Sequence, residues 1–379
     1  MIKKLTVSHY KSLGTNTEID LDNITVFVGQ NGSGKSNIID VFKFISDAMR
    51  IGLEGAITKR HGIKAVRKWS SGKPNNISIR LDLVEPTFTG YYQFDIGSHS
   101  KHEYTVKHES ANITYSNGHS YQYTIVDQNW AIRPDNLQPN LSPLTLALPL
   151  ISGDERFKPL ENALRNISIY NIYPDTLRAP QKYDPSRPME EHGINWVSIL
   201  KDQDTTTWKD DLIRGLSKLT GEIDDVEIKQ ISGYLLTRFR HGVSGESKKA
   251  KFFESTQESD GTLRVAGIIT ALLQTPILPL IGIEEPELTI HPGAVGLIYD
   301  YIIQASRHSQ ILITTHSPEV LDCFNNSDVI RVVSKRNSTS IVSKMKEEQI
   351  GSVKSGLLTL GELHRTEGIE GVGQLSFFE

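Results

Sequence analysis

The 379-residue chain is poor in several things that would direct its reading elsewhere. Cysteine occurs once, at Cys323, which excludes an intrachain disulfide and a cysteine-based zinc site and points to a reducing, cytoplasmic setting. An excess of positive charge is also missing. Lys and Arg number 41 against 45 Asp and Glu, a formal charge of −4, so the chain is no basic nucleic-acid coat, although a local basic patch remains open. The opening Met1-Ile2-Lys3-Lys4 lacks the apolar stretch of a signal peptide. Only Val265 to Ile283, nineteen residues without a charge, resembles a membrane span. Pro276, Pro279 and Gln274 interrupt it and Glu284-Glu285 close it, so the segment is predicted to be a buried helix, a turn and a buried parallel strand. No membrane association is expected. No repeat of about 20–50 residues and no heptad seam for a coiled-coil arm is visible.

What is present is apolar material, 37% of the residues, enough for a real core. Lys4–Val7 and the unbroken apolar run Ile24–Val28 read as strands, the second covered on both faces. Ser36–Met49 reads as a helix, with Ile38, Ile39, Phe42, Ile45 and Met49 on one face. Alternation at Ile77, Ile79, Leu81 and Leu83, followed by strand-like Tyr91–Ile96, Glu103–Lys107 and Tyr121–Val126, predicts antiparallel sheet, with Ser116-Asn117-Gly118 as a hairpin turn. Residues 129–159 read as loops with one helix, 167–173 as a strand, and 194–202 and 207–219 as helical pieces. His241–Lys251 reads as an exposed loop. From Ser259 the alternation helix, strand, helix, strand returns at 262–275, 280–283, 293–307 and 310–315. The expected organisation is one head, with an N-terminal lobe over 1–128, an irregular middle with a helical lid insertion over 129–255, and a C-terminal lobe over 256–379.

Gly29-Gln30-Asn31-Gly32-Ser33-Gly34-Lys35-Ser36 fits the P-loop pattern, after a buried strand and at the start of a helix. The glycines let backbone N–H groups converge on phosphate oxygens, and the helix N-terminus adds its own attraction for anions. Lys35 is placed to reach the β- and γ-phosphates, and the Ser36 hydroxyl to ligate Mg²⁺.

Leu280-Ile281-Gly282-Ile283 runs into two adjacent carboxylates, Glu284 and Glu285. Neighbouring strand residues face opposite ways, so the two have different tasks: one holds magnesium and the other orients and deprotonates the attacking water. Ile311–Thr315 is a second buried strand and ends in His316, whose imidazole can donate to a γ-phosphate oxygen or to that water. Ser259-Asp260-Gly261 opens a helix, where serine caps and free N–H groups can also bind an anion.

Phosphate loop, serine–glycine turn, acidic strand end and histidine strand end stand in that order, with Gly261 23 residues before Glu284 (284 − 261) and His316 31 residues after Glu285 (316 − 285). This order resembles the ABC-type ATPase head, in the branch shared by SMC, RecF and overcoming-lysogenization-defect proteins. Tyr10-Lys11-Ser12, Ile283–Glu287, His291-Pro292, Thr315–Pro318 and Leu360–Leu363 are similar to segments of bacterial AAA-type ATPases of that branch. The resemblance covers residues 1–50 and 255–365 and implies an α/β P-loop NTPase with a mixed or parallel central sheet, an antiparallel β subdomain and a helical lid.

It also implies that two copies sandwich two ATP molecules with Mg²⁺. Lys11 and the stretch Gly29, Asn31, Gly32, Ser33, Gly34, Lys35, Ser36 and Asn37 would bind ATP in cis, while Ser259 and Gly261 meet the other copy's γ-phosphate in trans. Ser36 and Glu284 would hold the metal, with Lys35, Glu285 and His316 catalytic. Departures are Glu284 in place of the usual Asp, which favours binding through water, and Asp260 in place of glycine. Gln181 is the candidate γ-phosphate sensor. Only 63 residues follow His316 (379 − 316), too few for the nuclease domain that overcoming-lysogenization-defect proteins carry there, at about 100 residues per domain. The expected role is therefore an ATP-driven dimerisation switch acting on a separate effector, such as a nuclease, in antiphage defence or DNA repair. The alternative is a RecF-like DNA clamp, with Lys59, Arg60, Lys64, Arg67 and Lys68 as phosphate contacts or simply a solvated loop. A transporter ATPase fits less well, because more than 220 residues separate the P-loop from the signature.

Overall fold

The computed structural model describes residues 1–72, 74–98, 103–137, 139–203, 208–242 and 251–373. The chain opens with β1 (Ile2–Ser8), β2 (Thr17–Asp20) and β3 (Ile24–Val28), then α1 (Lys35–Thr58) and α2 (Ile63–Val66). Five strands follow, β4 (Ile77–Val84), β5 (Phe88–Ser98), β6 (Tyr104–Tyr115), β7 (Ser120–Val126) and β8 (Asn129–Ile132), with α3 (Ala147–Leu150) and α4 (Lys158–Arg165) behind them. Next come β9 (Ile167–Tyr170), α5 (Pro174–Arg178), β10 (Gln181–Lys182), α6 (Trp196–Asp202), α7 (Trp208–Thr220), β11 (Ile223–Ile231), β12 (Tyr234–His241) and β13 (Lys251–Glu254). The last third holds α8 (Asp260–Leu273), β14 (Leu280–Glu284), α9 (Val295–Ala305), β15 (Gln310–Thr315), α10 (Pro318–Asp322), β16 (Ile330–Arg336), β17 (Thr339–Ser343), α11 (Glu347–Lys354) and α12 (Leu360–Thr366). This is an α/β P-loop NTPase architecture with mixed and antiparallel sheets and helical insertions.

The chain folds as two compact units, cut differently from the three expected stretches. One comprises Met1–Ile167, Asp328–Gly351 and the stretch from Ile369; the other comprises Ser168–Ser327 and Ser352–Gly368. In the first unit the described residues form an antiparallel sheet in the order β2-β1-β4-β5-β6-β7-β8. Beside it β3 pairs in parallel with β16, which pairs antiparallel with β17. The helix α1 buries the expected face, with Ile38, Ile39, Phe42, Ile45 and Met49 closed to solvent. It runs past its expected end at Met49 to Thr58, broken only at Gly52, whose φ of 77° leaves the helical region. The hairpin turn after β6 is as expected, with Gly118 at φ 87° and its N–H on the Tyr115 carbonyl at 2.9 Å.

In the second unit β14 and β15 pair in parallel, with Glu284 opposite Thr314. The near-membrane segment resolves into α8, a turn and β14, and among the described residues no helix is long and apolar enough to cross a membrane. The middle differs from expectation. Helices are present at α6 and α7, but β10, β12, β11 and β13 form an antiparallel sheet that was not foreseen. The first long strand, Ile-Asp-Asp-Val-Glu-Ile-Lys-Gln-Ile, buries only Ile223 and Val226 and carries three acids, so it shows no sustained apolar alternation. Of the loop expected over His241–Lys251, residues 243–250 lie outside the described residues, and His241 and Lys251 are strand ends.

Candidate functional site

The phosphate cradle belongs to the first unit. Gly34 caps α1 in a left-handed conformation at φ 112°, and Gly32 is left-handed at φ 76°. These glycines turn the chain sharply from β3 into α1 and expose the helix N-terminus. The back of the loop is closed by remote residues. A Cβ on Gly34 would sit on the Ser340 hydroxyl, and one on Gly29 would sit on the Val333 carbonyl. Ser340 Oγ donates to the Ser33 carbonyl at 2.5 Å and lies 2.6 Å from Ser12 Oγ, which accepts from Asn37 Nδ2 at 2.6 Å. Asn37 therefore braces the loop from behind, while Asn31, Gly32 and Ser36 lie at the surface.

Lys35 is 6% exposed, its ammonium folded back on the carbonyls of Gly29 (2.7 Å) and Gln30 (3.3 Å). Those two carbonyls hold the cation within the loop. Lys11 also lies in this unit, at φ 46°, with its ammonium 2.5 Å from Asp40 Oδ2. Asp40 further accepts from Tyr10 at 2.7 Å and from Arg60 at 2.9 Å. Burial opposes the charge on Asp40, but Arg60 and Lys11 outweigh it and hold its carboxyl down at about 2.

This network changes the reading of the basic run. Arg60 is buried between Asp40 and Asp47, Lys59 reaches Asp47 at 3.1 Å, and Lys68 donates to the carbonyls of Ser12 and Ser338, each at 3.1 Å. Arg67 is 7% exposed. Arg60, Lys59 and Lys68 are thus engaged with this unit's own acids and carbonyls, Arg67 is buried, and Lys64 stands in solvent, so the run does not form a continuous phosphate-facing stripe.

The second unit holds the acids, the histidine and the signature turn. Pairing of β14 with β15 brings Glu285 to His316, with Oε1 3.4 Å from Nδ1, both side chains partly open to solvent. Glu285 is left-handed at φ 45°, its N–H held by the Thr314 carbonyl at 2.9 Å. Glu284 ends β14 one residue earlier. Glu287 supports the far side, accepting from the Thr315 hydroxyl at 2.7 Å and from the His316 N–H at 3.4 Å. His364, on α12 directly after the Leu360–Leu363 segment, donates Nε2 to the His316 carbonyl at 3.2 Å.

Ser259 caps α8, accepting from the Thr262 N–H at 3.1 Å, and it is exposed. Asp260 takes the Arg178 guanidinium at 2.5 Å, and Arg178 also donates to the Glu258 carbonyl at 3.3 Å, so the acid that replaces glycine ties the turn to α5.

Gln181 is a correction. Its Nε2 donates to the carbonyls of Thr176 (3.1 Å) and Gly193 (2.9 Å), and its Oε1 accepts from the Val197 N–H at 2.9 Å. Buried, with both donors and its carbonyl committed, it pins the segment from α5 to α6 and is not kept for a phosphate. Conversely, the sequence reading left out Glu287, Arg264, His364 and Ser340. Glu287 and Arg264 stood inside segments already quoted, whereas nothing near Ser340 in the sequence marks it.

The model of the family described as "AAA domain, putative AbiEii toxin, Type IV TA system" matches residues 24–322. The chain belongs to that family. Among curated proteins, the chromosome partition protein Smc of Rhodopirellula baltica (strain DSM 10527 / NCIMB 13988 / SH1) is 50% identical to this AAA-domain chain over 46 residues, which are 12% of the chain and only 4% of that protein. A solved SMC head bound to the C-winged helix domain of ScpA is 16% identical, with 93% of this chain and 99% of that one covered at a TM-score of 0.53. The SMC head domain from Thermotoga maritima is 15% identical over 91% and 99%, at a TM-score of 0.44. This family member thus has an SMC-type ATPase head fold, with the Gly29–Ser36 loop turning from β3 into α1.

Proposed function

We propose that the protein is an ATP-hydrolysing dimerisation switch of the SMC, RecF and overcoming-lysogenization-defect branch. Two copies hold two ATP molecules between them, and making or breaking that sandwich governs a separate effector. The carrying observation is the Glu285–His316 pair at the ends of adjacent parallel strands, in a chain that also presents a complete phosphate loop. Glu285 takes the proton of the attacking water, His316 positions that water, and Lys35 offsets the charge growing on the γ-phosphate. Ser259 and Gly261 bind the other copy's γ-phosphate, and their exposed turn supports that use.

Ser36 and Glu284 offer hard oxygen donors of the kind magnesium takes, and among the described residues no group of three or more His, Cys, Asp or Glu could hold a metal alone. Ser36 and Glu284 are the residues that would hold magnesium, which would supply charge to offset the phosphates. Because trans contacts to γ-phosphate exist only before hydrolysis, turnover shifts the dimer equilibrium. An SMC head of similar fold binds the C-winged helix domain of ScpA, and a protein effector docked on this head, such as a nuclease encoded by another chain in antiphage defence or DNA repair, is the corresponding partner. The engaged basic run removes the main support for the DNA-clamp alternative.

The test is ATP turnover with size measurement at several protein concentrations. Glu285→Gln is expected to lose at least about 1,000-fold in kcat, beyond the usual share of a general base because the side chain also orients water, and to accumulate as an ATP-bound dimer. Lys35→Ala should bind no ATP, and Ser259→Arg should bind it as a monomer without turnover. Full-rate hydrolysis by an isolated monomer, independent of concentration, would sink the reading.

A further inference from the structure

The signature turn and the acidic strand end are joined by one buried side chain. Ser259 and Gly261 open α8, and Arg264 follows on the same helix about one turn later. Arg264 is 2% exposed. Nη1 donates to the Ile172 carbonyl at 2.5 Å, and Nη2 donates to the Glu285 carbonyl at 2.8 Å, with the Glu284 carbonyl at 3.4 Å. Burial pushes the guanidinium pKa down, while the nearby Glu287 and Glu285 carboxylates pull it up. A second contact runs beside the first. A Cβ placed on Gly261 would lie 3.1 Å from the Thr289 carbonyl, so the first turn of α8 rests on backbone just past Glu285.

Glu285 needs such support. At φ 45° a residue with a Cβ stays only where its surroundings hold it. Thr314 holds its N–H, and Arg264 holds its carbonyl. The same loop carries Glu287, which grips Thr315 and the His316 N–H. A shift in the first turn of α8 therefore reaches both the carboxylate and the imidazole through direct contacts.

We propose that Arg264 is a positioning residue that makes each chain's Glu285 answer to engagement of that chain's own signature turn by the other copy's triphosphate. This role rests on the ATP-sandwich reading and supplies its regulation. A triphosphate drawn onto the N–H groups of the Ser259–Gly261 turn seats α8, and Arg264 then fixes the Glu285 peptide. Turnover in either chain consequently needs nucleotide in both, and the rate rises sigmoidally with ATP.

The experiment uses the full chain with Arg264→Met and Arg264→Lys, measuring thermal melting, ATP binding, ATP-dependent dimerisation and the rate against ATP concentration. Arg264→Met is expected to keep ATP affinity and dimerisation while kcat falls about 100-fold, the scale of a small misplacement of a reacting group. Lysine keeps the charge but cannot span the Ile172 and Glu285 carbonyls together, so Arg264→Lys should recover part of kcat and respond hyperbolically to ATP. Wild-type kcat in Arg264→Met overturns the role, as does loss of ATP binding in a folded variant. If Arg264→Met does not fold, Arg264→Lys decides, and full kcat with an intact sigmoid overturns it. A wild-type protein that neither dimerises with ATP nor hydrolyses it removes the sandwich reading itself, an outcome seen before any Arg264 variant is made.

Discussion

The phosphate loop and the acid–histidine cluster are built on opposite plans. The loop is eight consecutive residues whose conformation is set by two left-handed glycines and the start of a helix. The cluster takes its parts from four places: Arg264 on α8, Glu284–Glu287 at the end of β14 and just past it, Thr315-His316 at the end of β15, and His364 on α12. A contiguous motif carries its geometry in its own backbone, so it tolerates change around it and little within. An assembled site is only as good as the contacts that bring its parts together. The contrast is incomplete, however, because the loop's back wall is Ser12, Val333 and Ser340.

The largest effect that would sharpen this comparison lies within the loop. Gly34→Ala meets both a left-handed φ of 112° and the Ser340 hydroxyl, and is expected to cost about 3 kcal/mol and abolish ATP binding. Gly32→Ala at φ 76° has nothing within 4 Å, so it should cost only about 1 kcal/mol. Urea titrations of the two variants measure the difference. Equal costs would mean that backbone conformation alone, and not the wall behind the loop, sets the loop's demands.

The same contrast explains what could be read from the amino acids alone. Gly29–Ser36 announced itself because phosphate binding needs those residue types side by side. Glu285 and His316 were legible as strand ends, since the apolar runs Leu280–Ile283 in β14 and Ile311–Ile313 in β15 stop at polar residues. Glu287 and Arg264 were in view but unassigned, because only the folded loop reveals that one grips Thr315 and the other the Glu285 carbonyl. Gln181 was misjudged for the converse reason. Its place after a strand suggested a sensor, while its amide is consumed by Thr176, Gly193 and Val197. The sheet of β10, β12, β11 and β13 was missed because β11 buries only Ile223 and Val226 and carries charge at several of its other positions, while β12 sets Arg238 and Arg240 on either side of buried Phe239.

A smaller effect probes the bracing behind the loop. The Asp40 carboxyl is at about 2 in the folded chain against an ordinary 3.8, so its pairing contributes stability above about pH 4 that is lost as the pH falls through the folded value. The shift corresponds to about 2 kcal/mol, and the side chain is 16% exposed, so solvent screening takes little of it. Asp40→Asn leaves Arg60 with Asp47 alone among the carboxylates and should cost about 2 kcal/mol at pH 7. Its stability should also vary less than wild type between pH 4 and about 2. Denaturant midpoints at pH 7 and pH 3 check both, and parallel wild-type and variant profiles would remove Asp40 from the acid response.

The smallest expected effect concerns the basic run, and it is argued from where the charges already are. Arg60 is buried on Asp40 and Asp47, and Lys68 donates to the Ser12 and Ser338 carbonyls, so neutralising these two costs stability more than surface charge, while half-exposed Lys59 is paired with Asp47. Lys64 is the one exposed member free to meet a nucleic acid. Each phosphate contact contributes about −0.9 to the slope of log affinity against log salt. Lys64→Ala should therefore leave any duplex binding and its salt slope within one contact of wild type, and ATP turnover unchanged. A slope that falls by several contacts would mean that the run leaves its carboxylate partners to reach phosphate, and the bracing behind the loop would then be a state that DNA competes with.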